Sequence, residues 1–72
     1  MRTVLGSIFN PDEAVLVSTV RLPDVPGVKP YETCVFYGRD SEVAAEYDGL
    51  LDSIIGHYKI VRAIKRGARH AH

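Results

Sequence analysis

One segment decides what architecture is open to this chain. From Gly49 to about Arg66, Leu50, Ile54, His57, Val61 and Ile64 recur at intervals of four, three, four and three. At about 100° per residue these positions fall in one narrow arc, which predicts an amphipathic helix that buries a single stripe. Leu51 and Tyr58 widen the stripe on one side and Ile60 on the other, while Asp52, Lys59 and Arg66 point away. Asp48 offers an N-cap and Gly67 a C-cap. Lys59, Arg62, Lys65 and Arg66 gather where they complement the negative end of the helix dipole. Every other segment reads as strand, turn or connector, so those residues must build the surface on which the stripe lies.

Residues 2–9 (RTVLGSIF) read as a short strand weakened by Gly6, and residues 14–22 (AVLVSTVRL) as a better one, rich in β-branched residues. Between them NPDE (10–13) is a turn: Pro11 presets φ, and Asn10 can bond to the backbone beyond it. PDVPGVKP (23–30), with three prolines and a glycine, cannot be a central strand or a helix interior. It reads as an extended, stiff connector over the surface, whose role is a crossover from one hairpin to the next, a partner-binding loop or a plain linker. YETCVFY (31–37) and the alternating SEVAAEY (41–47), joined by GRD, form a second hairpin. The order β-β-connector-β-β-α predicts an α+β fold, a small antiparallel sheet with one C-terminal helix across a face. The other sheet face must then be polar or meet another subunit. Residues 1–67 are expected to form the single domain, with 68–72 a disordered tail.

At 72 residues such a domain buries only a modest core. Cys34 is the one cysteine, so no internal disulfide is available, and no Cys/His cluster has the spacing of a zinc site. Self-association, as a homodimer or a higher homo-oligomer, is the economical way to hide leftover apolar surface. No apolar run approaches the roughly 20 residues that span a bilayer. Asn10, Pro11, Asp12 and Glu13 interrupt any signal-peptide core, so no membrane association is expected. Net charge is zero but unevenly spread: residues 1–48 carry −4 and residues 49–72 carry +4. That polarity suits electrostatic matching between copies, or a basic tail for an acidic partner.

The second half also carries a pattern. Tyr31-Glu32-Thr33, Val35-Phe36, Tyr47-Asp48 and Gly56-His57 resemble a group of small phage-encoded proteins of unknown function. Those share Tyr-Glu-Thr-x-Val-Phe, then Tyr-Asp, then Gly-His. The resemblance covers about residues 31–66. It implies a phage or prophage source, a small accessory role in the host cytoplasm, and no catalytic residue. The family's helix start is usually acidic with a Thr or Ser cap; here GLLDS (49–53) places Leu50 and Leu51 there. That adds apolar surface to the first turn.

His57, on the apolar face, is either a general base or ligand contact, or a structural imidazole bonded to a strand carbonyl or packed at a subunit seam. Gly56 beside it allows close backbone approach, which favours packing. A Cys34–His57 nucleophile pair with Asp40 or Asp52 has no strained elbow and no Gly-rich oxyanion loop to support it. Glu32, on the same strand face as Cys34, would need Arg21 or Arg39 as a partner if it pointed inward. Tyr31, Phe36, Tyr37, Tyr47 and Tyr58 with Arg39 could make a base-stacking platform, but aromatics at strand spacing more often form core or cross-strand pairs. Zero net charge argues against a dedicated nucleic-acid binder, and no phosphate-loop or dinucleotide fingerprint is present.

The candidate binding residues are therefore His57 and Tyr58, the basic helix end (Arg62, Lys65, Arg66), Tyr37 and Arg39, and Val25, Pro26 and Val28 of the Pro-rich loop. No catalytic residue, metal or cofactor is expected. The expected function is non-enzymatic protein–protein binding to a host or phage protein, of the host-takeover or anti-defence type. The alternatives are a nucleotide- or small-ligand-sequestering protein with its pocket at an oligomer seam, and a minor virion component.

Overall fold

The computed structural model describes residues 1–9 and 15–70. Four strands, β1 (Arg2–Phe9), β2 (Val15–Arg21), β3 (Tyr31–Tyr37) and β4 (Asp40–Tyr47), precede one helix, α1 (Leu50–His70). The strands form one antiparallel meander in the order β1-β2-β3-β4, and the helix packs on one face of it. The α+β fold read from the sequence is the fold observed. The expected NPDE turn lies outside the described residues.

The Pro-rich stretch does not cross over. Its strands β2 and β3 are direct neighbours, so residues 22–30 close a long hairpin. Leu22 N–H donates to the Pro30 carbonyl at 2.7 Å, and Val28 N–H donates to the Val25 carbonyl at 3.1 Å. Pro26 and Gly27 occupy the two central positions of that inner turn, with Gly27 at φ +82°. Proline followed by a positive-φ glycine is the signature of a type II turn, so the prolines stiffen a reversal instead of an extended run. The β3–β4 connection is tighter: Tyr37 pairs with Asp40 around Gly38–Arg39, with Gly38 at φ +58°, as two-residue hairpin loops require at their first position.

Two helix ends differ from expectation. The Gly49 carbonyl accepts the first helical bond, from Ser53 N–H at 3.1 Å, so Gly49 and not Asp48 holds the N-cap position. The Asp48 carboxylate lies 4.0 Å from Lys29 Nζ. At the other end the helix runs through Gly67 to His70, so Gly67 is no C-cap. Residues 68–70 continue the helix instead of forming a tail, and 71–72 lie outside the described residues. A single helical glycine costs about 1 kcal/mol relative to alanine, too little to stop a helix by itself.

Between helix and sheet the core divides in two. Its apolar half is small: Val15, Val17, Val35 and Val61, with Ile60 and Ile64 packed against them. The other half is polar. Thr19, Thr33, Ser53 and His57 are all fully buried.

Candidate functional site

Strand alternation creates the polar half. Val15, Val17 and Thr19 face the helix along β2, and Tyr31, Thr33 and Val35 do so along β3. Register sets Thr19 directly opposite Thr33. The two threonines thus occupy valine-like positions in an otherwise apolar frame. His57 meets them from the helix, at a position its own stripe reserves for an apolar residue.

The side chains form one continuous chain of hydrogen bonds. His57 Nε2 lies 2.8 Å from Ser7 Oγ, and His57 Nδ1 lies 2.8 Å from Thr19 Oγ1. Thr19 Oγ1 is 2.6 Å from Thr33 Oγ1, and Thr33 Oγ1 donates to Tyr47 OH at 3.1 Å. Proton counting then fixes the rest, because each hydroxyl has one hydrogen. Thr33 spends its hydrogen on Tyr47, so Thr19 must donate to Thr33. Thr19 is then an acceptor toward the imidazole, which must donate from Nδ1. Burial holds the His57 pKa below the ordinary histidine value, so at neutral pH the ring is neutral, both its nitrogens are used, and Nε2 accepts from the Ser7 hydroxyl. Among the described residues no buried side-chain polar atom lacks a partner.

Gly56 makes this closure possible. A Cβ there would overlap the Tyr47 ring, so only glycine lets the ring lie across the helix and bring its hydroxyl to Thr33. Ser53, one turn earlier, donates to its own helix at the Leu50 carbonyl, 2.6 Å away.

His57 is therefore sealed, and its partners are strand hydroxyls in place of the expected strand carbonyl. Cys34 pairs with Ser18, one register step from the Thr19–Thr33 pair and hence on the opposite sheet face from His57. A Cys34–His57 pair cannot form across the sheet. Burial, followed by the hydrogen bond and charge of Glu32, pushes the Cys34 thiol pKa up. The thiol donates to Glu32 Oε1 at 3.5 Å. Arg21 does not serve Glu32: its guanidinium donates to Tyr31 OH at 2.9 Å and to Asp24 at 3.3 Å, and lies 5.2 Å from the Tyr31 ring centre. Tyr31 and Tyr47 face the helix side whereas Phe36 faces away, so the aromatics make no common platform.

The other candidates fall into three exposed groups. Tyr58, Arg62, Lys65 and Arg66 line a shallow depression of about 350 Å³ with Val61. Tyr37 ends β3 beside the β3–β4 turn and Arg39 lies in it, both exposed. Val25, Pro26 and Val28, with Pro23, Asp24 and Pro30, line a second depression of about 400 Å³ on the β2–β3 loop. The sequence reading missed Ser7, Thr19, Thr33 and Tyr47 as partners of His57. It also missed the surface stripe on the far side of the helix, where Leu51, Ile55 and Tyr58 are 69%, 48% and 53% exposed. At helical spacing these share one face with Arg62 and Arg66.

Among the described residues no group of three or more His, Cys, Asp or Glu is placed to hold a metal ion, and no helix is long and apolar enough to cross a membrane. No protein-family model matches the chain, and no curated protein or solved structure is significantly similar to it. Within the Tyr-Glu-Thr … Tyr-Asp … Gly-His pattern, Thr33, Tyr47, Gly56 and His57 all belong to the buried network or its closure.

Proposed function

We propose that this is a small non-catalytic accessory protein, of the phage-encoded kind its second half resembles, that works by binding another protein along the outer side of its helix. The observation that carries this reading is the solvent-facing stripe Leu51–Ile55–Tyr58, which continues into Arg62 and Arg66. A helix that covers a sheet needs one apolar stripe; this one has a second, turned to solvent, and exposed apolar rows rimmed by charge are the mark of a protein-binding surface. Its chemistry fits an amphipathic helical segment whose apolar residues lie on Leu51, Ile55 and Tyr58 and whose acidic end meets the arginines. His57, sealed among hydroxyls, belongs to the scaffold that holds the helix in place.

The test is a comparison of tagged wild-type protein with Leu51→Glu and Tyr58→Glu, each confirmed folded by circular dichroism, in capture from the host. A protein retained by the wild type and lost by both variants, with binding reproduced from purified components, is the expected result. Equal capture by all three would overturn the reading. The depression lined by Tyr58, Arg62, Lys65 and Arg66 supports a second reading, a nucleotide site with an aromatic ring and three cations. A thermal-shift screen with nucleotides separates the two, since the protein-binding reading expects no shift.

A further inference from the structure

Among the described residues no helix or strand packs on the sheet face opposite α1, although Val20 on that face is buried, and the pattern of the face is regular. Pairing aligns its outward residues in rows across the four strands. Ile8, Leu16, Phe36 and Ser41 form one row, and Gly6, Ser18, Cys34 and Val43 form the next. On every strand these two rows set one large apolar residue beside one small one: Ile8 and Gly6, Leu16 and Ser18, Phe36 and Cys34, Val43 and Ser41. Ile8 is 76%, Val43 54% and Phe36 38% exposed. A third row, Thr3, Val20, Glu32 and Glu46, places two carboxylates directly opposite each other. Like charges in that position destabilise a sheet unless a cation meets them.

We propose that this face is the interface of a two-fold homodimer, two sheets packed face to face about an axis that crosses the strands between the first and second rows. Such an axis exchanges the two rows, so each large residue lies over the partner copy's small one on all four strands. Ile8 meets the second copy's Gly6, Leu16 its Ser18, Phe36 its Cys34, and Val43 its Ser41. Facing sheets about 10 Å apart interdigitate in this way. The same operation carries the Gly38–Arg39 turn, two register steps beyond the first row, over the second copy's Glu32 and Glu46, themselves two steps beyond the second row. Arg39 is exposed and makes no ion pair among the described residues. Charge complementarity thus selects a second copy of this chain as the occupant, and it supplies a cation that the paired glutamates lack among the described residues.

Two further observations agree. Gly6 is interior to β1, its φ is not positive, and a Cβ there would meet nothing within 4 Å in its own chain. The fold of one chain does not need that glycine; close approach of another backbone does. The chain also exposes 5186 Å², about 700 Å² more than the roughly 4,500 Å² expected of a compact protein of its mass. That excess approaches the ~800 Å² that each partner contributes to a standard interface. The dimer lies on the side of the sheet away from α1, so it presents two helix stripes outward and does not depend on what they bind.

Sedimentation velocity on the full chain tests the proposal, with Ile8→Lys, Gly6→Phe and Arg39→Glu as variants. The wild type is expected to sediment as a dimer at micromolar concentration. Ile8→Lys and Gly6→Phe should sediment as monomers with unchanged far-ultraviolet circular dichroism, since neither position is packed within one chain. Arg39→Glu should weaken the dimer, and adding Glu46→Arg should restore it. Cys34 alkylation should be slower in the wild type than in the Ile8→Lys monomer at the same pH. A wild-type monomer at high micromolar concentration, or a dimer that survives either Ile8→Lys or Gly6→Phe, would overturn the proposal.

Discussion

Thr19→Val removes one oxygen from the centre of the buried network and almost nothing else. Valine keeps the β-branched shape, suits a central strand, and leaves no cavity. The lost hydroxyl makes two bonds, at 2.8 Å to His57 and 2.6 Å to Thr33. Each is worth about 1 kcal/mol net, and His57 Nδ1–H is left buried without an acceptor, a cost of about 1–3 kcal/mol. The extra buried methyl returns less than about 1 kcal/mol. The balance is a loss of about 2–4 kcal/mol, from a total of roughly 4–11 kcal/mol for a domain of this size. The melting temperature should fall by at least about 10 °C. Urea unfolding followed by circular dichroism, at fixed protein concentration, measures it. His57→Leu in the Thr19→Val background completes the test. With both partners apolar, the double variant should be more stable than the sum of single effects predicts, by about 1–2 kcal/mol. A neutral or stabilising Thr19→Val, or strict additivity, would refute the claim that these bonds hold helix to sheet.

Stability should depend on pH in one direction. Burial lowers the His57 pKa in the folded state, so the unfolded chain binds more protons there. The stability His57 contributes is fully present above the unfolded value of about 6.5 and declines as pH falls below it. Urea titrations between neutral and mildly acidic pH should show that slope, and His57→Leu should flatten it. Gly56→Ala should destabilise the protein although alanine favours helix, because the Tyr47 ring must move; in a Tyr47→Ala background the same change should stabilise by up to about 1 kcal/mol. Cys34 should react with thiol reagents more slowly at neutral pH than an unhindered cysteine, and in the monomeric Ile8→Lys background Glu32→Gln should accelerate it by removing the negative charge that helps raise its pKa.

Much of the fold could be read from period and punctuation. β-branched runs gave the strands, and the four-three spacing gave the helix and put His57 on its buried side. The errors arose where local residues carry two meanings. Prolines in 23–30 suggested a stiff crossover, yet Pro26-Gly27 is also a turn, and only strand order shows which meaning applies. Gly67 suggested an end that the helix passes through, and Asp48 a cap taken one residue later. The network was half legible. His57 in an apolar stripe and Thr19 and Thr33 in valine frames each mark a polar group aimed inward, but only register brings them together across 38 and 24 residues of chain. Ser7 and Tyr47 gave no such signal, since serine and tyrosine are ordinary in strands. The sheet's outer rows likewise acquire meaning only from pairing.

The two proposed surfaces are compatible because they occupy opposite sides of the fold. A sheet-to-sheet dimer would carry two copies of the Leu51–Ile55–Tyr58 stripe, and paired sites raise apparent affinity for a repeated partner without new contacts. The helix stripe depends on α1 being fixed at one depth and angle on the sheet, and the bonds of His57 to Ser7 and Thr19 tie it there.

The most direct measurement is therefore long-range proton–nitrogen NMR of the His57 ring across neutral and acidic pH. The structure predicts a single neutral tautomer protonated at Nδ1, with titration displaced below the ordinary histidine value of about 6.5. A ring that titrates at or above that value, or that averages between tautomers, would mean that His57 is open to water and that the account of its role is wrong.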